Sequence, residues 1–219
     1  MSDVENTSSS TSAGDEAAAP VRKRPKPGER RVQILQALAT MLEQPGAERI
    51  TTAALAARLE VSEAALYRHF ASKAQMFEGL IEFIEQTVFS LINQIAEREA
   101  GASDAGAGVR HAGKVVTMLV QFAEKNPGMT RVMVGDALVF ENERLQQRMN
   151  QFFDKIESTL KQCLRDGTQL VGSATPSVDV QVAASVLTAF VVGRLQRFAR
   201  SGFRRLPSEH LEASLAQML

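Results

Sequence analysis

Tryptophan is absent from the 219 residues, and tyrosine and cysteine occur once each. A single thiol, Cys163, excludes an internal disulfide framework. With no His or Cys at ligand spacing it also excludes structural zinc, so its expected place is that of a small helix residue. His111 and His210 likewise lack a companion pattern and are assigned no role. No uninterrupted apolar run reaches the ~20 residues needed to span a bilayer, and the N-terminus is polar instead of basic and then apolar. The expected location is therefore cytoplasmic. No nucleophile has a base at usable spacing, and there is no metal cluster or glycine-rich phosphate loop. No enzyme activity, catalytic residue, metal or cofactor is expected. Stretches that alternate apolar and polar residues are also missing, which argues against a sheet. A chain rich in Ala and Leu, with apolar residues at helical spacing, is all-α.

Net charge is missing too, since 25 basic residues meet 25 acidic ones, but it is unevenly placed. Between Arg22 and Ala74 ten Lys or Arg face five Asp or Glu; from Gln75 to Leu219 fifteen face sixteen. A basic first part joined to a near-neutral remainder suits nucleic acid at one end and protein contact at the other. Residues 1 to about 20 are too poor in large apolar side chains to offset the entropy of ordering, so a disordered tail is expected. Arg22, Lys23, Arg24 and Lys26, interrupted by Pro25 and Pro27, then form with Arg30 and Arg31 an arm suited to phosphates. The division is 1–27 tail and arm, 28–74 DNA-binding domain, and 75–219 helical dimerisation and partner-binding domain.

Within the second region, a first helix from about Glu29 to Gln44 buries Val32, Leu35, Ala39 and Leu42 and stops at Pro45-Gly46. The stretch ITTAALAARLEVSEAALYRHFASK, residues 50 to 73, carries two short helical patterns around a tight break. Thr51 or Thr52 caps the first and Ser62 the second, while Leu55, Leu59, Val61, Leu66 and Phe70 share a core with Ile34, Leu35 and Leu38. This is a helix-turn-helix. Its ending, Leu66-Tyr67-Arg68-His69-Phe70 followed by Lys73, resembles the DNA-reading motif of the TetR family of bacterial regulators. One departure is Glu60, where that family usually has glycine. The residue is either held at positive φ, with a strain of order 1 kcal/mol, or the turn differs. Helical geometry and the resemblance together imply phosphate contacts at Thr51, Thr52, Tyr67, His69 and Lys73, and base-edge approach at Ser62, Glu63, Ala64, Ala65 and Arg68.

Ser72 and Gln75 form a capping box for a helix running to about Arg98, with Phe83 and Phe89 off its main apolar stripe. After a Gly-rich break at 101–108, a helix reaches Lys125, and Asn126-Pro127 starts a short one ending near Gly135. A long helix from about Leu138 to Arg165 carries Leu145, Met149, Phe152, Ile156 and Leu160 at heptad-like spacing, compatible with a coiled coil or with ordinary internal packing. Beyond a linker at 167–176, the helix from about Ser177 to Ser201 is apolar all round, and a last one restarts at Pro207-Ser208. Two such helices suit a four-helix homodimer interface, here assigned to Val182, Val186, Phe190, Leu195, Leu211 and Leu215. A twofold dimer matches palindromic double-stranded DNA.

The stretches IEFIE (81–85), EKNPGMTR (124–131) and GDALVFENERLQQRMNQFFDKIE (135–157) are similar to the nucleoid-occlusion branch of the TetR family. That resemblance implies a nucleoid-associated dimer that, on palindromic DNA, binds FtsZ and antagonises division-ring assembly. It also implies a partner surface at Phe83, Lys125 and Asn126, with no obligatory small-molecule ligand. The alternative is a repressor released from DNA by a small hydrophobic ligand, its pocket lined by Met118, Phe122, Met129, Met133, Phe152 and Phe153.

Overall fold

The computed structural model describes residues 28–44, 50–101, 104, 106–167 and 176–219. The tail and arm residues through Lys26, the stop at Pro45-Gly46 and most of the 167–176 linker lie outside the described residues. Among the described residues the regular elements are helices, in agreement with the all-α expectation.

The head comprises α1 (Glu29–Leu42), α2 (Thr52–Arg58) and α3 (Glu63–Tyr67). Ile34, Leu35, Leu38, Ala39 and Leu42 form the buried stripe of α1. They meet Leu55, Ala56, Leu66 and Phe70, each at most 3% exposed. Val32, expected in that stripe, is 45% exposed in the first turn of the helix, one turn short of where the stripe is covered.

From the head emerges α4 (Lys73–Glu99), 27 residues without a break and so about 40 Å long. The Ser72 hydroxyl accepts from the Gln75 N–H at 3.2 Å. The expected reciprocal contact differs: Gln75 accepts from the N–H of Ala71, at 2.9 Å, one residue further back than a standard capping box. Phe89 packs edge-on against Phe152 at 5.9 Å between ring centroids. At the end of the helix, Asp104 accepts from Arg110 and from the Gly106 N–H. The Arg110 guanidinium first, and the Gly106 N–H after it, pull its carboxyl down to about 2.

The body continues with α5 (Ala107–Lys125), α6 (Pro127–Met133) and α7 (Glu143–Gly167). It ends with α8 (Pro176–Arg200) and α9 (Leu211–Met218). Helix α7 starts five residues later than expected. Gly135 at φ 83 opens a 3₁₀ turn, Asp136–Leu138, and Asn142 Oδ1 then accepts from the Arg144 N–H, marking the true helix start. Leu145, Met149, Phe152, Ile156 and Leu160 are each at most 2% exposed. They face the bundle where α7 packs on α5 and α8, so internal packing accounts for the heptad-like spacing. Helix α9 begins at Leu211, later than Ser208, after a turn through His210 at φ 54.

Helix α8 corrects a further expectation. The segment Ser177–Arg200 is long and apolar enough to cross a membrane by length and composition, with mean hydropathy 1.5. Gln181, Ser185 and Thr188 interrupt its apolar run, so no unbroken apolar stretch marks it in the sequence. It is only one-third buried. One side packs along α7, where Gln181 bridges Glu157 and Lys161. The other side leaves Val178, Val182 and Val186 about half exposed.

Head and body are joined by a backbone contact in addition to α4. Helix α6 crosses α1 so closely that a Cβ on Gly128 would lie 1.9 Å from the carbonyl oxygen of Ala39. The fully buried Thr130 supports this corner, its Oγ1 lying 2.8 Å from the Ala123 carbonyl and 3.1 Å from that of Asn126. Asn126 was expected to cap α6 through its side chain but does not. Its Nδ2 donates to the Phe122 carbonyl at 2.7 Å, closing the end of α5 instead.

Candidate nucleic-acid interface

Caps and one strained residue set the angle between α2 and α3. Thr51 Oγ1 accepts from the Ala54 N–H at 3.1 Å, and Ser62 Oγ accepts from the Ala65 N–H at 3.2 Å. Both hydroxyls are therefore engaged in starting helices, which satisfies donors that would otherwise be orphaned. Glu60 lies at φ 53, so the first of the two conformations considered for it is the one adopted. Around it the Val61 N–H reaches the Ala56 carbonyl at 3.0 Å and the Glu60 N–H the Ala57 carbonyl at 3.1 Å. This paired arrangement is the Schellman ending, in which glycine is the usual left-handed residue.

On the outer surface the structure brings Thr52, Glu63 and Tyr67 together. The Thr52 hydroxyl donates to Glu63 Oε2 at 2.5 Å, and the 45%-exposed Tyr67 places its hydroxyl 3.5 Å from Thr52 Oγ1. Ala64, Arg68 and His69 are exposed beside them and Ala65 is half-buried. Small side chains at the start of α3 leave room for close approach to base edges, and the guanidinium of Arg68 supplies donors suited to guanine or phosphate.

Three expected contacts are engaged elsewhere. Arg31 donates to the His69 carbonyl at 3.1 Å and stacks 4.2 Å from the Phe70 ring, fastening α1 to the end of α3. Arg30 donates to Gln33 one turn along. Lys73 pairs with Glu141, at 2.5 Å, in the turn preceding α7. Glu141 and Gly128 are the two positions that reading the sequence did not single out. Both act through tertiary contacts that leave no local pattern.

Tyr67→Ala removes a hydroxyl and ring from the centre of this surface while leaving Leu66 and Phe70 in the core. The expected result is roughly tenfold weaker duplex binding, the loss of one hydrogen bond to a charged group, with an unchanged melting profile. Fluorescence anisotropy on a labelled duplex measures it, and a mutant that melts early would assign Tyr67 to the fold instead.

Away from the head, α4 leaves Phe83 37% exposed. Lys125 is exposed at the end of α5, with Asn126 half-buried next to it. On α8, Val182 and Val186 are exposed and Phe190 is half-buried under the Arg194 guanidinium. A Cβ on Gly193 would meet no atom within 4 Å. Leu195, Leu211 and Leu215, by contrast, are covered by their own chain.

A head of this geometry on an all-helical body defines a TetR-type DNA-binding regulator. Residues 34–80 match the family described as bacterial regulatory proteins, tetR family. Residues 108–219 match the SlmA-like family described as tetracyclin repressor-like, C-terminal domain. The nucleoid occlusion factor SlmA of Vibrio vulnificus (strain YJ016) is 52% identical over 188 residues, covering 85% of this chain and 92% of that protein. Its counterpart in Idiomarina loihiensis is 50% identical over 184 residues, covering 84% and 90%. The chain belongs to the SlmA family of DNA-binding nucleoid occlusion factors. Among solved structures, the Bacillus subtilis regulator FadR in complex with stearoyl-CoA superposes with a TM-score of 0.66 at 15% identity, over 85% of this chain and 96% of that one. A TetR regulator from Legionella pneumophila gives 0.66 at 15% identity, over 88% and 97%. These likenesses concern the fold.

Proposed function

We propose that the protein acts as a DNA-bound homodimer that engages FtsZ through the α4–α5 surface and antagonises division-ring assembly over the chromosome. The observation carrying this reading is the separation of two exposed surfaces along one rigid helix. Thr52, Tyr67 and Arg68 lie at the head, whereas Phe83 projects from α4 and Lys125 ends the neighbouring α5. An exposed aromatic on α4 and a cation at the end of the neighbouring α5 suit an apolar, acidic peptide, with the ring supplying buried area and the ammonium orienting a carboxylate.

The α8 stripe supports the dimer. Val178, Val182 and Val186 recur every fourth residue and stand about half exposed, so a second α8 removes them from water. A twofold pair then presents two α3 helices to half-sites about one helical turn, ~34 Å, apart.

The competing ligand-released repressor receives less support. Phe122, Met129, Met133 and Phe152 are each at most 9% exposed within the continuous core, while Met118 and Phe153 pack against it. A cleft of about 600 Å³ lies elsewhere, between α8 and the turn before α9, lined by Phe190, Arg194, Arg197, Arg205 and His210.

The test is FtsZ polymerisation followed by light scattering, with and without a palindromic duplex. Wild-type protein is expected to reduce polymer only when the duplex is present. Phe83→Ala is expected to bind the duplex normally and lose most of that effect. Equal loss of both activities in this variant would sink the idea of two separate surfaces.

A further inference from the structure

Lys73 sits where the reading unit meets the rod. It is the first residue of α4, and it lines the same narrow crevice as Thr51 and Thr52 at the start of α2. Its ammonium is nevertheless 2.5 Å from Glu141 Oε1, and it lies 5.7 Å from the Phe77 ring centroid. The two partners differ in exposure: the Lys73 side chain is 31% accessible, whereas that of Glu141 is only 9%. The lysine is therefore able to turn toward solvent or a phosphate, while the carboxylate stays in place, held in the turn between the 3₁₀ segment and α7.

We infer that Glu141 is a positioning residue for DNA binding: it competes with the phosphate backbone for Lys73, and so lets the α6–α7 turn of the body tune the affinity of the head. The inference deepens the DNA-binding reading above and rests on it. A neutralised lysine releases no counterion from DNA, so each phosphate contact that Lys73 makes must first be won from Glu141. The competition is local because the Glu141 carboxylate is largely shielded, and a shielded carboxylate holds its ammonium more firmly than a surface one. Displacement of the turn that carries Glu141 changes the charge that the head presents to DNA. By reciprocity, DNA that captures Lys73 leaves the Glu141 carboxylate without its cation and biases that turn.

The test measures duplex affinity across a salt series for the wild type, Glu141→Gln, Lys73→Gln and the double variant. Gln at 141 keeps an oxygen for Lys73 but removes the competing charge. The expected result is severalfold tighter binding, with a salt dependence steeper by about 0.9 per chain, the value for one more neutralised phosphate. Glu143→Gln, which removes an exposed charge two residues away, is expected to change neither quantity comparably. In the Lys73→Gln background the gain from Glu141→Gln should vanish. If Glu141→Gln folds poorly by circular dichroism, Glu141→Asp keeps the charge, withdraws it by one methylene and is expected to give a smaller gain. Unchanged or weaker binding by a folded position-141 variant overturns the proposal, as does a Lys73→Gln protein with wild-type affinity. Failure of the wild type to bind a palindromic duplex at any salt is a different result, and removes the underlying reading as well.

Discussion

Replacing Val182 and Val186 together by glutamate is expected to yield a folded monomer whose affinity for a palindromic duplex falls by about two to four orders of magnitude. Both valines stand on the outer stripe of α8, about half exposed, so glutamates there can extend into solvent in the monomer. In a dimer they become central. Four carboxylates would then be enclosed around the twofold axis without partners, and each unpaired buried charge costs several kcal/mol. Without dimerisation the second half-site is no longer bound at the high local concentration that linkage provides, while binding to an isolated half-site remains. Analytical ultracentrifugation reads the first effect and anisotropy on full and half sites the second. A persistent dimer would place the interface on another face.

Gly128→Ala is expected to lower stability by about 2–3 kcal/mol, the range for forcing extra volume into a packed contact. In a chain of this size that corresponds to a fall in melting temperature of roughly 5–10 °C. The new Cβ would meet the Ala39 carbonyl oxygen at 1.9 Å and its carbon at 2.8 Å. Backbone cannot rotate out of the way as a side-chain terminus does, so α1 and α6 must separate. Separation also frees the head from one of its attachments to the body, so duplex affinity is expected to drop in the same protein. A melting curve identical to wild type would mean that the crossing relaxes without loss. Gly193→Ala provides the contrast, because its Cβ enters open space and the folded monomer should tolerate it.

Local chemistry made much of the head legible. Threonine and serine before short apolar patterns announced the caps at Thr51 and Ser62, and both occur. A non-glycine residue at the turn raised the prospect of a left-handed conformation, and Glu60 adopts it. The body was legible in its helices and less so in its faces. Apolar periodicity reports that a residue leaves water without saying whether its own chain or another covers it. Leu195, Leu211 and Leu215 were therefore grouped with Val182 and Val186, although they are internal. The pairing of Lys73 with Glu141 joins residues far apart in the chain, and the contact of Gly128 with Ala39 depends on how two helices cross. Neither has a sequence signature, because each is decided by packing that forms after the helices do.

The unbroken span of α4 carries a mechanical consequence. A rod of about 40 Å that pivots by about 5° moves its far tip by roughly 3.5 Å, close to the ~3.4 Å that separates successive nucleotides on one strand. A tilt of that size about the Glu99 end would carry Lys73, at the head, through a whole nucleotide step, and the helix needs no hinge of its own.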